Sequence, residues 1–446
     1  MIVRTAPALA PADAARRVAE GADPVWLSMP DPAAAPGGAD EARIALDAVA
    51  ADPADVVGAG PIESLQRAWQ AARERWSAEG PAPSGLPIAA GWLSYDLARR
   101  WTPVPARARD DHGWPELQFR FYDAIWMRAS GAAEARIYAC DRSAADRLAA
   151  RLERAPMPLP IPTLGMLAPE RDDARAQHAA SVGRIQEYLR AGDTYQVNLA
   201  RRLTAPIGGG DPVWLAAALR QRTPAPHAIW LGGRSGAAEL DRIIVGNSPE
   251  RFLRVEADGR IETRPIKGTR ARGADAASDA AARAALVASV KDRAEHVMIV
   301  DLERNDLGRV CQVGSVVVEG LLRVVELPTV FHLVSTVRGR LRPEVGLAEL
   351  LRATFPGGSI TGAPKRRAME IIEELEPVRR GIYTGATGWL GAAGDLDLAV
   401  AIRTATIAGG QLSLSIGGGI VADSDAAAEW EETEIKAEAF VSLTAR

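Results

Sequence analysis

The sequence contains only two cysteines among its 446 residues, Cys140 and Cys311. They lie far apart and in no metal-ligand spacing, so neither a disulfide framework nor a zinc site is expected. The Ala-rich start is interrupted by Pro7, Pro11 and charged residues, and it lacks the continuous apolar core of a signal peptide. We therefore expect a chain that works in a reducing cytoplasm.

Long apolar runs and blocks of like charge are also absent. No stretch approaches the roughly 18–20 consecutive apolar residues that span a bilayer, so no membrane contact is expected. The net charge is −4 without a basic patch, which argues against nucleic acid as a partner. A content of 47% apolar and 25% charged residues is typical of a globular protein.

Proline, by contrast, is concentrated in one segment. Pro156-Met-Pro-Leu-Pro-Ile-Pro162 alternates proline with apolar residues, a pattern that favours extended, unpaired backbone. The sequence therefore predicts an N-terminal segment over 1–155, a linker over 156–174 and a catalytic region over 175–443. The length is compatible with two domains or one composite domain.

Local patterns predict both strands and helices. Period-two alternation and turn residues predict strands over Tyr195–Leu203, Arg251–Glu256, Arg260–Arg264, Leu398–Ile407 and Leu412–Ile416. Helical spacing predicts helices from about Asp275 to Asn305 and from about Asp425 to Leu443. The predicted class is α+β with many antiparallel strands.

Two of the predicted helices each carry one carboxylate on an apolar face. Glu295 shares a face with Met298 and Leu302, and Glu432 shares one with Ile435. Two inward carboxylates together with substrate oxygens suit Mg²⁺, which keeps several waters. A helix-edge glutamate paired with an arginine is equally compatible with the pattern.

Two further features are typical of anion binding. Phe355–Lys365 is a Gly-rich segment that runs into an amphipathic helix, whose free N–H groups could hold an anion. It lacks the Gly-Lys-Ser/Thr ending of a phosphate-binding Walker A loop, and a capped tight turn is the alternative. Arg403, among alanines on its predicted strand, could hold a carboxylate through two hydrogen bonds, or could pair with a structural Asp.

Lys267 and Glu250 are candidates whose roles depend on their surroundings. Lys267 follows a predicted strand, and partial burial beside positive charge would favour its neutral, nucleophilic amine. Glu250, in Asn247-Ser-Pro-Glu250, is a candidate general acid. Without context, a solvated lysine and an ordinary turn residue are the more frequent outcomes.

Together these segments resemble the chorismate-utilising enzymes, which include the anthranilate, aminodeoxychorismate, isochorismate and salicylate synthases. The resemblance covers roughly residues 175–440. It rests on Tyr195-Gln-Val-Asn-Leu199, Ser248-Pro-Glu250, Pro265-Ile-Lys-Gly-Thr269, Ala294–Leu302, Arg304-Asn-Asp306, Gly358–Lys365, Tyr383-Thr-Gly385, Ile402-Arg-Thr404, Gly417–Val421 and Glu429–Thr433.

The resemblance implies a large α/β sandwich of two facing, mostly antiparallel β-sheets flanked by helices, with the N-terminal segment contributing strands to both sheets. It also implies roles for individual residues. Glu295 and Glu432 would hold Mg²⁺, and Glu250 would protonate the leaving 4-hydroxyl. The chorismate-binding residues would be Arg403, Tyr383, Thr361, Gly417, Gly418, Gly419, His332, Lys436 and Gln196.

Two positions separate the branches of this family. Isochorismate and salicylate synthases carry a lysine where this chain has Gln196, so hydration of chorismate is not expected. Aminodeoxychorismate synthases carry a lysine at the position of Lys267, whereas anthranilate synthases carry alanine. The resemblance therefore implies amination at C4 with Lys267 as nucleophile, with C2 amination or a non-catalytic chorismate-binding relative as alternatives.

The same resemblance implies a partner. Neither cysteine lies in the context of a catalytic nucleophile, and none of the five histidines forms a recognisable dyad with them. Ammonia is therefore expected from a separate glutamine amidotransferase subunit.

Overall fold

The computed structural model describes residues 1–30, 44–58, 60–78, 80–111, 113–233, 242–327 and 330–444. None of the helices formed by these residues combines the length and the apolar character needed to cross a membrane.

The described residues form ten α-helices and 22 β-strands. The helices are α1 (Pro11–Val18), α2 (Ile62–Trp76), α3 (Arg142–Glu153), α4 (Ala174–Arg190), α5 (Trp214–Arg222), α6 (Ala276–Ala288), α7 (Val290–Gly308), α8 (Leu347–Thr354), α9 (Lys365–Leu375) and α10 (Ala426–Thr444). The strands are β1 (Ile2–Ala6), β2 (Val25–Pro30), β3 (Ile44–Ala50), β4 (Asp55–Gly58), β5 (Pro87–Leu93), β6 (Leu117–Phe121), β7 (Ala124–Ala129), β8 (Ala135–Ala139), β9 (Ala168–Pro169), β10 (Gln196–Pro206), β11 (His227–Gly233), β12 (Arg242–Ser248), β13 (Arg251–Val255), β14 (Arg260–Arg264), β15 (Ile266–Ala271), β16 (Val317–Glu326), β17 (Val330–Arg340), β18 (Gly362–Ala363), β19 (Ala386–Gly391), β20 (Leu396–Val400), β21 (Thr404–Ala408) and β22 (Gln411–Ile420).

The strands assemble into two large antiparallel sheets. The first sheet runs β1-β8-β7-β3-β2-β11-β12-β21-β22-β10-β18, with β9 also paired to β10. The second sheet runs β15-β17-β14-β13-β20-β19-β5-β6-β4, with β16 also paired to β17. Strands from before and after the Pro-rich segment share both sheets, through the pairs β2–β11 and β5–β19. The predicted contribution of the N-terminal segment to both sheets is confirmed.

Successive side chains of a strand contribute alternately to the core between the two sheets and to the layer of helices outside them. Ile229 and Leu231 of β11 join the core shared by the two sheets, where they meet second-sheet residues such as Trp92. Trp230, between them, points to the opposite face and packs with helix residues such as Phe440. Because successive strand side chains point to opposite faces, both faces of the first sheet are buried. The predicted α+β sandwich is confirmed.

The predicted single strand over Leu398–Ile407 is wrong. The chain leaves the second sheet at the end of β20 (Val400) and enters the first sheet at Thr404, the start of β21. Between them Arg403 has a φ of 48°, which a continuous strand does not permit. The chain therefore crosses between the sheets at this point.

The predicted single helix from Asp275 to Asn305 is also interrupted. Ser289 has extended backbone with a ψ of 108°, which ends α6. Its side chain accepts a hydrogen bond from the N–H of Asp292 at 3.2 Å and so caps α7. The helix that carries Glu295 thus begins anew at Val290.

Candidate active site

Lys267 lies where the two sheets approach each other. It belongs to β15 of the second sheet, at an irregularity in the β15–β17 register between Ile266 and Thr269. Its Nζ would lie 2.9 Å from a Cβ built on Gly419, which belongs to β22 of the first sheet. The side-chain amide of Gln196 would lie 3.0–3.1 Å from that same point. The structure therefore brings these three predicted site residues together.

The amide of Gln196 is buried without a partner. The side chain is fully enclosed, and neither its oxygen nor its nitrogen has a hydrogen-bond partner among the described residues. Buried polar atoms are nearly always satisfied in native proteins, so an unsatisfied amide beside Lys267 is typical of a site for a polar ligand.

Glu250 is a buried carboxyl group directly before β13. Its Oε1 accepts a 3.4 Å hydrogen bond from the N–H of Ile266, the residue before Lys267. Burial raises the pKa of Glu250 to about 7, although Ser359 and the charge of Lys267 oppose that shift. A carboxyl group that is partly protonated at neutral pH can act as a general acid.

Glu295 and Glu432 lie on α7 and α10, among the same lysines. The Nζ of Lys291 is 4.0 Å from Oε1 of Glu295, and the Nζ of Lys436 is 2.6 Å from Oε1 of Glu432. Burial raises the pKa of Glu295. The side chain of Glu432 is half exposed, and its partial desolvation acts in the same direction, but Lys436 and further lysines outweigh it and the pKa of Glu432 is lowered. The two carboxylates thus belong to one charged cluster.

Glu295 and Glu432 supply the type of oxygen ligand that a magnesium ion uses. Mg²⁺ prefers oxygen ligands and is commonly bound by one or two carboxylates, with waters and substrate oxygens completing the shell. No group of three or more His, Cys, Asp or Glu side chains in the described part of the chain is arranged to hold a metal. The pair can therefore hold Mg²⁺ only together with substrate or water.

Arg403 occupies the crossing between the sheets. Its backbone carbonyl accepts a hydrogen bond from the N–H of Asn247 at 2.9 Å, which fixes its left-handed conformation. Burial lowers the pKa of its guanidinium, and nearby Glu250 opposes that effect. Within the described ranges no ion pair of Arg403 is formed, so the structural Asp partner considered above is not found. A buried guanidinium in this state suits a substrate carboxylate.

Two further predicted site residues, His332 and Tyr383, lie close to Thr269 and Gly417 respectively. The Nδ1 of His332 lies 2.8 Å from Oγ1 of Thr269, and its Nε2 has no partner among the described residues. Burial, helped by Arg403, lowers the pKa of His332 to about 3, so the ring is neutral. The hydroxyl of Tyr383 would lie 3.0 Å from a Cβ on Gly417.

A family model described as chorismate binding enzyme matches residues 35–442. The chain belongs to the chorismate-binding enzyme family. The predicted resemblance is confirmed, and the molecule is a chorismate-utilising enzyme.

Members of this family from bacteria are similar over most of the chain. An aminodeoxychorismate synthase component 1 from Klebsiella aerogenes is 45% identical over 346 residues, which are 77% of this chain and 74% of that protein. An anthranilate synthase component 1 from Streptomyces coelicolor is 40% identical over 377 residues, or 80% and 72%. The crystal structure of anthranilate synthase component I from Streptococcus pneumoniae superposes with a TM-score of 0.75 at 30% identity, over 89% of this chain and 92% of that chain.

The three glycines expected in the chorismate-binding site lie on β22 and are close to different partners. Lys436 donates a 2.8 Å hydrogen bond to the carbonyl of Gly417. A Cβ on Gly418 would lie 3.1 Å from Glu429 and 3.8 Å from Glu432. Any side chain larger than the hydrogen atom of glycine would fill the space beside these carboxylates. Because β22 has glycine there, its backbone can approach a ligand closely.

Thr361 is placed differently from the other predicted site residues of this chorismate-binding enzyme. Its hydroxyl donates a 3.0 Å hydrogen bond to the carbonyl of Gly357, and its own carbonyl accepts from the N–H of Asn198 at 2.9 Å. Its side chain therefore stabilises the Gly-rich segment, while its backbone carbonyl pairs with β10. The anion site at the start of α9 stays a prediction.

Sequence reasoning missed Glu429 and misplaced Ile435. Glu429 is buried and accepts hydrogen bonds from Ser424 at 2.6 Å and from Lys291 at 3.4 Å. Its position three residues before Glu432 was the available signal, because that spacing gives neighbouring side chains on a helix. Ile435, expected on the inward face with Glu432, is 74% exposed, and the side chain of Glu432 is itself 51% exposed, so the prediction that Glu432 points inward is wrong. The buried face of α10 instead carries Trp430, Thr433, Ala437 and Phe440.

Proposed function

We propose that this enzyme aminates chorismate at C4 and produces 4-amino-4-deoxychorismate for para-aminobenzoate and folate synthesis. The observation that carries the proposal is the position of Lys267, whose Nζ lies against Gly419 and the unpaired amide of Gln196. The 45% identity to an aminodeoxychorismate synthase component 1 supports the same branch of the family.

Lys267 acts as the nucleophile in this proposal. The lone pair of its amine nitrogen attacks ring C2, the ring double bond shifts, and the C4–oxygen bond breaks. Glu250 donates the proton with which the 4-hydroxyl leaves as water. Ammonia then adds at C4, the double bond shifts back, and the C2–nitrogen bond breaks with its electron pair returning to the Lys267 amine. The nitrogen added at C4 gives a proton back to Glu250. The enolpyruvyl group is retained throughout.

The remaining charged and polar residues bind the substrate, which is a dianion. Arg403 holds one carboxylate through its guanidinium, with Tyr383, His332 and the Gly417–Gly419 backbone as neighbouring walls. Glu295 and Glu432 hold Mg²⁺, which supplies positive charge to the other carboxylate. Lys436 keeps Glu432 and Gly417 in place through the contacts described above.

Ammonia comes from a glutamine amidotransferase subunit in this proposal. Burial raises the pKa of the Cys140 thiol to about 12 and that of Cys311 to about 11, which makes both weak nucleophiles at neutral pH. The name component 1 of the similar aminodeoxychorismate synthase also fits a two-subunit enzyme.

A second candidate function is C2 amination with loss of pyruvate. It is favoured by the 40% identity to an anthranilate synthase component 1 and by the 30% identity to the superposed crystal structure. The two candidates give different products from the same reactants, so product identity separates them.

The deciding experiment incubates the purified chain with chorismate, Mg²⁺ and ammonium and separates the products by chromatography. We expect 4-amino-4-deoxychorismate, whereas anthranilate and free pyruvate would refute the C4 assignment. Omission of Mg²⁺ should abolish turnover. Replacement of ammonium by glutamine should also abolish it, and product formed from glutamine by the chain alone would overturn the subunit proposal.

Variants of Lys267 test the nucleophile. Lys267→Ala should lower aminodeoxychorismate formation by a factor of about 10³ or more, because a covalent step is lost. The matched variant Lys267→Arg retains the positive charge but not the nucleophile, and it should fail equally. In the wild type, mass spectrometry of the quenched reaction should find chorismate minus water attached to Lys267. Activity retained by Lys267→Arg would remove the covalent role.

A further inference from the structure

Arg380 lies beneath the site, in the turn after α9, and it is 4% exposed. Its guanidinium uses all five of its N–H donors. Nε and one Nη donate to the two carboxylate oxygens of Glu376 at 2.9 and 2.7 Å. The other donors reach the carbonyls of Asn198 at 2.7 Å and Ile360 at 2.8 Å, and the hydroxyl of Thr384 at 3.3 Å.

The acceptors of Arg380 belong to separate walls of the chorismate site. Asn198 is on β10, two residues after Gln196, and Ile360 directly precedes Thr361. Glu376 strengthens the hold on β10, because its Oε1 also accepts from the N–H of Ala200 at 2.9 Å. One buried ion pair therefore ties the Gly-rich segment to the strand that carries Gln196.

The third wall is the turn of Tyr383. The guanidinium carbon of Arg380 lies 5.9 Å from the centre of the Tyr383 ring and 4.9 Å from that of Tyr95. Thr384, next to Tyr383, has a left-handed φ of 59°, which is unfavourable for a threonine. Such a conformation persists only where its surroundings enforce it, and Arg380 is one of the groups that do so.

Stability alone gives little reason for this arrangement. A buried ion pair contributes little compared with well-packed apolar residues of similar volume, because both charges lose their hydration. The guanidinium group is planar and its donors point in fixed directions. An arginine bonded to three separate segments therefore fixes the positions of those segments relative to one another.

We propose that Arg380 is a positioning residue that holds β10, the Ile360–Thr361 segment and the Tyr383 turn together, so that these three walls of the chorismate site are preformed. This inference rests on the proposed use of that site for chorismate, and it adds a residue that does not itself touch the substrate.

The test compares Arg380→Lys with Arg120→Lys. Lysine retains the charge but has only three donors and no planar fork, so it cannot serve all three segments. Arg120 is an equally buried arginine that binds Asp23 and the carbonyl of Gly232, far along the sheets from Lys267. Both variants should lose thermal stability. Only Arg380→Lys should raise the KM for chorismate, about tenfold or more, with a smaller change in kcat.

Chorismate consumption is the measured rate, so the result does not depend on which product forms. Anthranilate as product would refute the C4 assignment and leave the inference about Arg380 intact. A KM for Arg380→Lys equal to that of Arg120→Lys would refute the positioning role, because the amount of folded enzyme does not affect KM. A second experiment uses the alanine variants of the same two arginines. Added guanidinium should lower the KM of Arg380→Ala and leave the KM of Arg120→Ala unchanged. The same response of KM to guanidinium in both alanine variants would also count against the proposal.

Discussion

Two buried glutamates show how similar residues take different roles at the residue scale. Burial raises the pKa of both Glu250 and Glu303 to about 7. Both carboxylate oxygens of Glu303 accept hydrogen bonds, Oε2 from Thr263 at 2.9 Å and Oε1 from the N–H of Gly358 at 3.2 Å. Glu250 accepts a long bond from Ile266, lies close to Ser359, and faces Lys267 and Arg403. Its place beside Lys267 makes Glu250 the better positioned of the two glutamates to protonate a leaving group.

This difference predicts a pH profile. The raised pKa keeps Glu250 protonated below about pH 7, and the acid form is lost as the pH rises through that value. At a fixed concentration of free ammonia, the ratio of kcat/KM for the wild type to that for Glu250→Gln should therefore decline above about pH 7, because ionisations of other groups affect both enzymes alike. Below that pH, Glu250→Gln should be slower by a factor of about 10² to 10⁴.

Glu303→Gln is the matched control for the pH profile, because it removes another buried carboxyl group with a similar pKa. Its kcat/KM relative to that of Glu250→Gln should show the same decline above about pH 7. A ratio to Glu250→Gln that stays constant with pH, for the wild type or for Glu303→Gln, would show that Glu250 is not the acid.

At the scale of single elements, β22 has glycine where side chains would enter the site. A Cβ on Gly419 would meet the ends of two flexible side chains, Lys267 and Gln196. A Cβ on Gly91 of β5 would lie 1.9 Å from the carbonyl oxygen of Gln118, which is backbone and cannot move aside. The same glycine-to-alanine substitution should therefore affect activity on β22 and stability on β5.

We expect Gly419→Ala to fold with a melting temperature close to that of the wild type and to lose most of its activity, because Lys267 is displaced. Gly91→Ala should instead be strongly destabilised or insoluble, since the close β5–β6 pairing is lost. Thermal melting and chorismate turnover measured on both variants check this. A Gly419→Ala enzyme with wild-type activity would contradict the proposed position of the Lys267 amine.

At the scale of the whole molecule, the sheets unite the parts that the Pro-rich segment separates in sequence. β5 lies between β6 and β19, and β2 lies between β3 and β11. Removal of residues 1–155 would expose the edges of β11 and β19 together with the apolar inner faces of the sheets. The division into 1–155, 156–174 and 175–443 therefore stays a prediction about sequence, without implying independent folding.

We expect residues 175–443 expressed alone to aggregate. Residues 1–158 and 159–446, expressed together as separate chains, should reassemble into an active enzyme. The break then lies in an exposed segment, where Met157 is 64% and Ile161 57% exposed. Solubility, co-purification and chorismate turnover are the measurements. An active, soluble 175–443 fragment would contradict the structural dependence on the N-terminal strands.

Much of the architecture could be predicted because strong local patterns agree with it. The β13–β14 hairpin forms from the two predicted strands Arg251–Glu256 and Arg260–Arg264, and α10 covers the helix predicted near the end of the chain. Prediction failed where a single backbone conformation overrides the pattern. Arg403 interrupts a run that otherwise alternates like one strand, and Ser289 interrupts a run of good helix formers. Both breaks depend on contacts distant in sequence or on a cap that the apolar pattern does not encode.

The sequence by itself determined the family, the sandwich fold and the residue types of the site, because motif order and residue chemistry are properties of the chain. Only the tertiary structure decided that Lys267 of the second sheet meets Gln196 and Gly419 of the first sheet. It also decided that Glu250 has a pKa near 7 and that Arg380 joins three walls. Burial, electrostatic environment and hydrogen-bond geometry arise from neighbours in space, so Lys267 acquires the surroundings of a nucleophile only when the two sheets pack.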